Sequence, residues 1–171
     1  MENFQTTPVA PAKPQRPTFL TVLCILTFIG SGWGIVSGIS SYITANATAG
    51  VAQAAMDDAR EDIQNESSNA GTQMAEKMLS GVSDMLKPEN IKKNALFSIV
   101  ASVFTLLGGI LMFGLKKTGY WVYILGTLIG IVGPFMVYGG ANFVTILSSS
   151  MIAFFGVLFV ILYGLNVKHL R

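Results

Sequence analysis

Residues 118–167 read TGYWVYILGTLIGIVGPFMVYGGANFVTILSSSMIAFFGVLFVILYGLNV, a run without one charged side chain. Water-facing surfaces are built largely from Lys, Glu, Arg and Asp, so this run is not the outside of a soluble domain. As one helix it would extend about 75 Å, at roughly 1.5 Å per residue. A bilayer's hydrocarbon core is only about 30 Å thick. Gly139-Gly140-Ala141-Asn142 supply turn chemistry near its centre. The run therefore folds as a hairpin, with spans at 120–138 and 143–165 joined by a turn at 139–142.

The same criterion places two further spans, at 18–42 and 95–115. Charge is absent from 17–56 and 94–115 as well, so the eleven basic and nine acidic residues crowd into the remaining positions. At 12% the charged fraction is about half the roughly 25% of an ordinary soluble domain. The expected fold is all-α: a polytopic membrane protein with four transmembrane helices as two hairpins. An extramembrane helical loop, 43–94, lies between helices 1 and 2. A net charge of +2 gives no field for nucleic acid. The partners expected are the lipid bilayer and either further copies of the chain or another membrane protein.

The span borders carry their own markers. Lys116 and Lys117, in the short turn 116–119, precede Tyr120 and Trp121, as interfacial anchors do. Trp33, at mid-span, calls for a partner for its indole N–H on a neighbouring helix. Ala45-Asn46-Ala47 matches a signal-peptidase pattern, but the preceding apolar stretch of 25 residues exceeds a signal core of about 7–15. It reads as an uncleaved span. Lys13, Arg16, Lys116, Lys117, Lys168 and Arg171 fall on one side of a four-span topology, against Lys87, Lys92 and Lys93 near span ends on the other. The positive-inside rule then puts both termini in the cytoplasm and the 43–94 loop outside.

Outside the spans, the tail 1–17 spaces Pro8, Pro11, Pro14 and Pro17 every three residues, the period of polyproline II. It reads as a stiff spacer, with a groove-binding peptide as the functional alternative. In the loop, Ala47, Val51, Ala54 or Ala55, and Ala59 recur at helical spacing, so span 1 continues as helix past the membrane. Turn formers at 65–71 break it. Met74, Met78, Val82 and Met85, with Leu79 and Leu86, then form an apolar stripe that Pro88 ends. Those methionines serve as apolar bulk, and no His or Cys assists them toward a copper site. The segment 166–171 closes the chain.

Within the spans, Gly30, Gly34 and Gly38, and again Gly126 and Gly130, repeat every four residues. Small residues at this spacing let helix backbones approach, within the chain or between copies. Pro134 predicts a kink near Gly130. Phe113-Gly114-Leu115 and Tyr163-Gly164-Leu165 echo each other fifty positions apart, a weak internal repeat. No span holds Asp, Glu, Lys, Arg or His, the groups that mark intramembrane chemistry. The span hydroxyls, Ser98, Ser102, Thr105 and Ser148 to Ser150, have no base to activate them. No catalytic, cofactor-binding or metal-binding residue is expected, and no cofactor. The expected function is a non-catalytic multi-pass protein, a scaffold or accessory subunit. The alternative is a small oligomeric channel or transporter without intramembrane charge.

Two segments carry a resemblance. Arg16-Pro17-Thr18-Phe19-Leu20-Thr21-Val22-Leu23-Cys24-Ile25-Leu26 and Gly114-Leu115-Lys116-Lys117-Thr118-Gly119-Tyr120-Trp121 resemble stretches of small uncharacterised four-span bacterial inner-membrane proteins. The likeness implies a bacterial inner membrane location and the same span count, and it carries no activity. A reporter active only in the cytoplasm, fused after Arg171, is expected to be active. A silent one would reverse the topology.

Overall fold

The computed structural model describes residues 17–65, 69–140 and 143–170. The proline tail before Pro17 lies outside the described residues, as do the centre of the 65–71 break and Ala141-Asn142. Those described are all-helical apart from turns. They form α1 (Thr18–Asn65), α2 (Ala70–Met85), α3 (Pro88–Phe113), α4 (Thr118–Tyr138) and α5 (Phe143–Gly164), followed by a 3-10 turn at Val167–His169. Four of them, all but α2, are long and apolar enough to cross a membrane.

α1 runs unbroken for 48 residues, about 72 Å at roughly 1.5 Å per residue. Alanine, the strongest helix former, carries it through positions 45–59. The covered face of this extension is Ala45, Ala49 and Met56, while Val51 is exposed. The sequence had suggested the face through Ala47, Val51 and Ala59. Alanines surround this helix, so their spacing does not single out a side; bulky Met56 does.

α2 starts with a capping box. Asn69 Oδ1 accepts from the backbone N–H of Gly71 (2.8 Å) and Thr72 (3.0 Å), and Thr72 Oγ1 accepts from Asn69 N–H (2.8 Å). Met74 and Met78, expected on its apolar face, are exposed, whereas Thr72 and Gly81 are buried. Pro88 also differs from expectation. It does not end α2, which stops at Met85; it opens α3, where a residue without N–H loses nothing. One turn on, the Lys93 ammonium hydrogen-bonds Glu89 at 2.6 Å and holds its carboxyl below the usual carboxylate range. The pair is formed at neutral pH and is lost as acid protonates the carboxylate.

α3 lies between α1 and α4 and contacts both extensively. Its approach to α4 is backbone to backbone. A Cβ added to Gly108 would sit 2.7 Å from Tyr123 N, one on Gly119 2.6 Å from Met112 N, and one on Gly126 2.7 Å from Thr105 N. These pairs run in antiparallel register along the two helices, and Gly133 against Phe97 continues it. The turn between them is a Schellman motif, with Lys116 N–H donating to Leu111 O and Leu115 N–H to Met112 O, both 2.9 Å. Its left-handed position, φ 61°, is held by Leu115 where glycine is usual. The strain of about 1–2 kcal/mol is offset by packing, since Leu115 sits against the buried cluster formed by Leu20, Leu23, Cys24, Met112, Tyr123, Tyr163 and Leu170. That cluster joins α1, α3, α4, α5 and the 3-10 turn at the end of the bundle where α1 begins and α5 ends.

Gly108→Ala and Gly126→Ala are expected to destabilise the protein by about 1–3 kcal/mol each, as overpacked interiors do. Gly30→Ala, whose Cβ would meet nothing within 4 Å, is expected to change stability by no more than about 0.5 kcal/mol. Thermal unfolding in detergent reads both.

Candidate functional site

Where α1 and α5 meet, contact is confined to one end. Thr27 Oγ1 and Tyr163 Oη share a hydrogen bond of 2.7 Å, and the rings of Tyr163 and Tyr123 meet edge to face at 4.9 Å. Above this point the two helices part. The space between them is a cleft of about 880 Å³, walled by α1, α3, α4 and α5 and reaching Met85 at the end of α2. Thr27 and Tyr123 form its floor; Asn94, Tyr138 and Met85 mark the opposite mouth.

One wall is polar. Asn94, Ser98, Ser102 and Thr105 recur along α3 at helical spacing and all line the cleft. Thr105 Oγ1 donates to Ser102 O (3.0 Å), which commits its proton, so Ser31 Oγ donates to Thr105 across the α1–α3 contact at 2.9 Å. Thr127 Oγ1 donates to Tyr123 O at 3.0 Å. Ser98 and Ser102 also line the cleft, and their hydroxyls have no hydrogen-bond partner among the described residues; Ser102 Oγ rests against Gly34 of α1. The facing walls are mainly apolar, with Leu26, Trp33, Ile152, Phe155 and Phe159, and the Ser148 hydroxyl on α5 is committed to Thr145 O at 3.2 Å. None of the described residues lining the cleft is charged.

The residues singled out from the sequence are distributed as follows. A Cβ on Gly34 would collide with Ser102 Oγ, and one on Gly38 would come 2.6 Å from Ile99 Cγ1, so both serve the α1–α3 contact. Gly126 serves α3–α4. A Cβ on Gly130 would stand 3.5 Å from Ala101 Cβ, an ordinary contact, and Gly30 faces the open cleft. Gly30 therefore takes no part in helix packing within the chain. Pro134 is buried inside an unbroken α4. Trp33 is 74% exposed at the cleft rim with no hydrogen-bond partner among the described residues, contrary to the expectation of a neighbouring helix. Lys116, Lys117 and Trp121 are exposed, and Tyr120 packs edge to face on Trp121 at 5.9 Å. The fifty-residue echo places Gly114 and Gly164 at the ends of α3 and α5, on the same side of the bundle.

The cleft itself was not anticipated. The signal lay in the polar residues of α3 and in Thr27–Ser31 on α1, which recur on one face of otherwise apolar helices. Two other hydroxyls, Thr145 Oγ1 and Ser149 Oγ on α5, are buried without partners and outside the cleft lining. No protein-family model matches the chain, and no curated protein or solved structure matches it either.

Two outcomes follow from the hydroxyl geometry. Thr27→Val and Tyr163→Phe each remove the same buried bond and are expected to cost about 1–2 kcal/mol, with the double variant costing little more than either. Ser149→Ala removes an unpartnered buried hydroxyl and is expected to stabilise by about 1 kcal/mol or more. Chemical denaturation in detergent distinguishes the signs.

Proposed function

We propose that this chain is a non-catalytic, multi-pass integral membrane protein that works as a scaffold or accessory subunit through its helix faces and its 43–94 segment. The observation that carries the reading is the continuity of α1. Its hydrogen-bond ladder runs from the span into the extension that packs on α2, so the loop is mounted rigidly on the bundle. An exposed helical pair on such a mount presents a fixed surface, which is what a scaffold needs. The apolar helices add to it, since only 11–28% of each span's most apolar window is buried within the chain and the rest is left for lipid or partner helices. In this reading the spans form two successive hairpins along the chain, α1 with α3 and α4 with α5, joined through the close α3–α4 contact, in a bacterial inner membrane. Both termini are cytoplasmic and the α1 extension and α2 lie outside, following the basic-residue asymmetry.

The test is a pull-down from membranes with the intact chain and with residues 50–90 replaced by a short polar linker. Partners are expected to be recovered with the intact chain and lost with the replacement. Recovery of the same set either way would sink the loop as the contact surface. Saturable ion or solute flux in liposomes, abolished by Gly34→Leu, would instead support an oligomeric channel.

A further inference from the structure

We propose that the α1–α5 cleft binds one uncharged, single-chain amphiphile of the monoacylglycerol type, taken sideways from the bilayer. The cleft's about 880 Å³ falls within the range of roughly 300–1,000 Å³ typical of small-molecule sites. Its side is open between α1 and α5, flanked by exposed Ile29, Trp33, Ile146 and Phe155, where hydrocarbon is the adjoining solvent. Its two walls match the two halves of such a molecule. A chain lies along Trp33, Ile152, Phe155 and Phe159, while hydroxyl or ester oxygens meet Ser98, Ser102 and the Asn94 amide.

Each competing occupant leaves something unmatched. A bare acyl tail gives Ser98 and Ser102 no partner in a medium that offers none. A carboxylate or phosphate at this depth finds no cation, since no charged residue lines the cleft. Water satisfies the hydroxyls and fails the aromatic wall. The polar stripe from Asn94 to Thr105 spans about 16 Å by helical rise, so the head group rests toward the Asn94 mouth and the chain points to the Thr27–Tyr163 floor.

The experiment uses the full-length chain in nanodiscs with mono-oleoylglycerol carrying a diazirine on its acyl chain. Photolabelling is expected to concentrate on Ile152 and Phe155, to saturate at one probe per chain, and to be competed by unlabelled mono-oleoylglycerol but not by oleate or phosphatidylglycerol. The double variant Ser98→Ala/Ser102→Ala, which removes both hydroxyls without adding bulk at the α1–α3 contact, is expected to reduce it by about tenfold. Trp33→Ala, at an exposed rim position that leaves the bundle intact by circular dichroism, is expected to reduce it as well. The proposal is overturned by labelling that follows exposure along outer faces such as Val36 and Leu158 without saturating. Equal competition by oleate, or labelling unchanged in both variants, overturns it too.

Discussion

The approach of α3 to α4 is the constraint on which the rest of the bundle is built. Between apolar helices in lipid there is no hydrophobic drive, because the surrounding tails are as apolar as leucine. What remains is close contact and hydrogen bonding. Gly108, Gly119 and Gly126 remove the side chains that would hold the two backbones apart. The Schellman turn at Leu111–Lys116 then fixes how far one helix can slide along the other. With that pair set, α1 docks on the other side of α3 by a different means, through Gly34 and Gly38 and the Ser31–Thr105 hydroxyl pair.

α5 lacks a backbone-to-backbone approach of this kind. It touches α4 near Gly156 and Gly164, where the nearest atoms are the ends of the Thr127 and Tyr120 side chains and not backbone. It reaches α1 only around Tyr163. Tyr163 is fully buried and does two things at once: its hydroxyl pins α5 to α1, and its ring closes the cleft floor against Tyr123. The cleft is thus a direct result of unequal packing. Three helices are held backbone to backbone by small residues, whereas α5 meets α4 through side-chain ends, meets α2 at its start and meets α1 near Tyr163.

How far this was readable from the sequence depends on the length scale. The four apolar helices follow from runs of about 20 residues without charge, and the long α1 from its alanine-rich continuation. Spacing marks a face of a helix but not the face opposite it. That is why Gly30 was grouped with Gly34 and Gly38 although it faces open space, and why Gly108 and Gly119, which meet each other's helices most closely, were passed over. Pro88 was ambiguous for a physical reason: a residue lacking N–H fits just after one helix and at the first turn of the next equally well. The cleft was illegible because four helices contribute to it, and no local pattern records which of them stands apart.

The unbroken α1 ties these features into one coordinate. Its first two turns are fixed at Leu20, Leu23 and Cys24, the stretch from Leu26 to Gly34 just above forms one wall of the cleft, and its last two turns lie against α2 beside Glu76 and Leu79. A helix without an interruption in its hydrogen-bond ladder bends only gently. Any change in the angle between α1 and α5 therefore opens or narrows the cleft and displaces the α1 extension in the same motion. Because Met85 at the end of α2 reaches the cleft mouth, the return path of the chain reports on the same movement. If the cleft binds as proposed, its occupancy is linked to the posture of the α1 extension through this one helix.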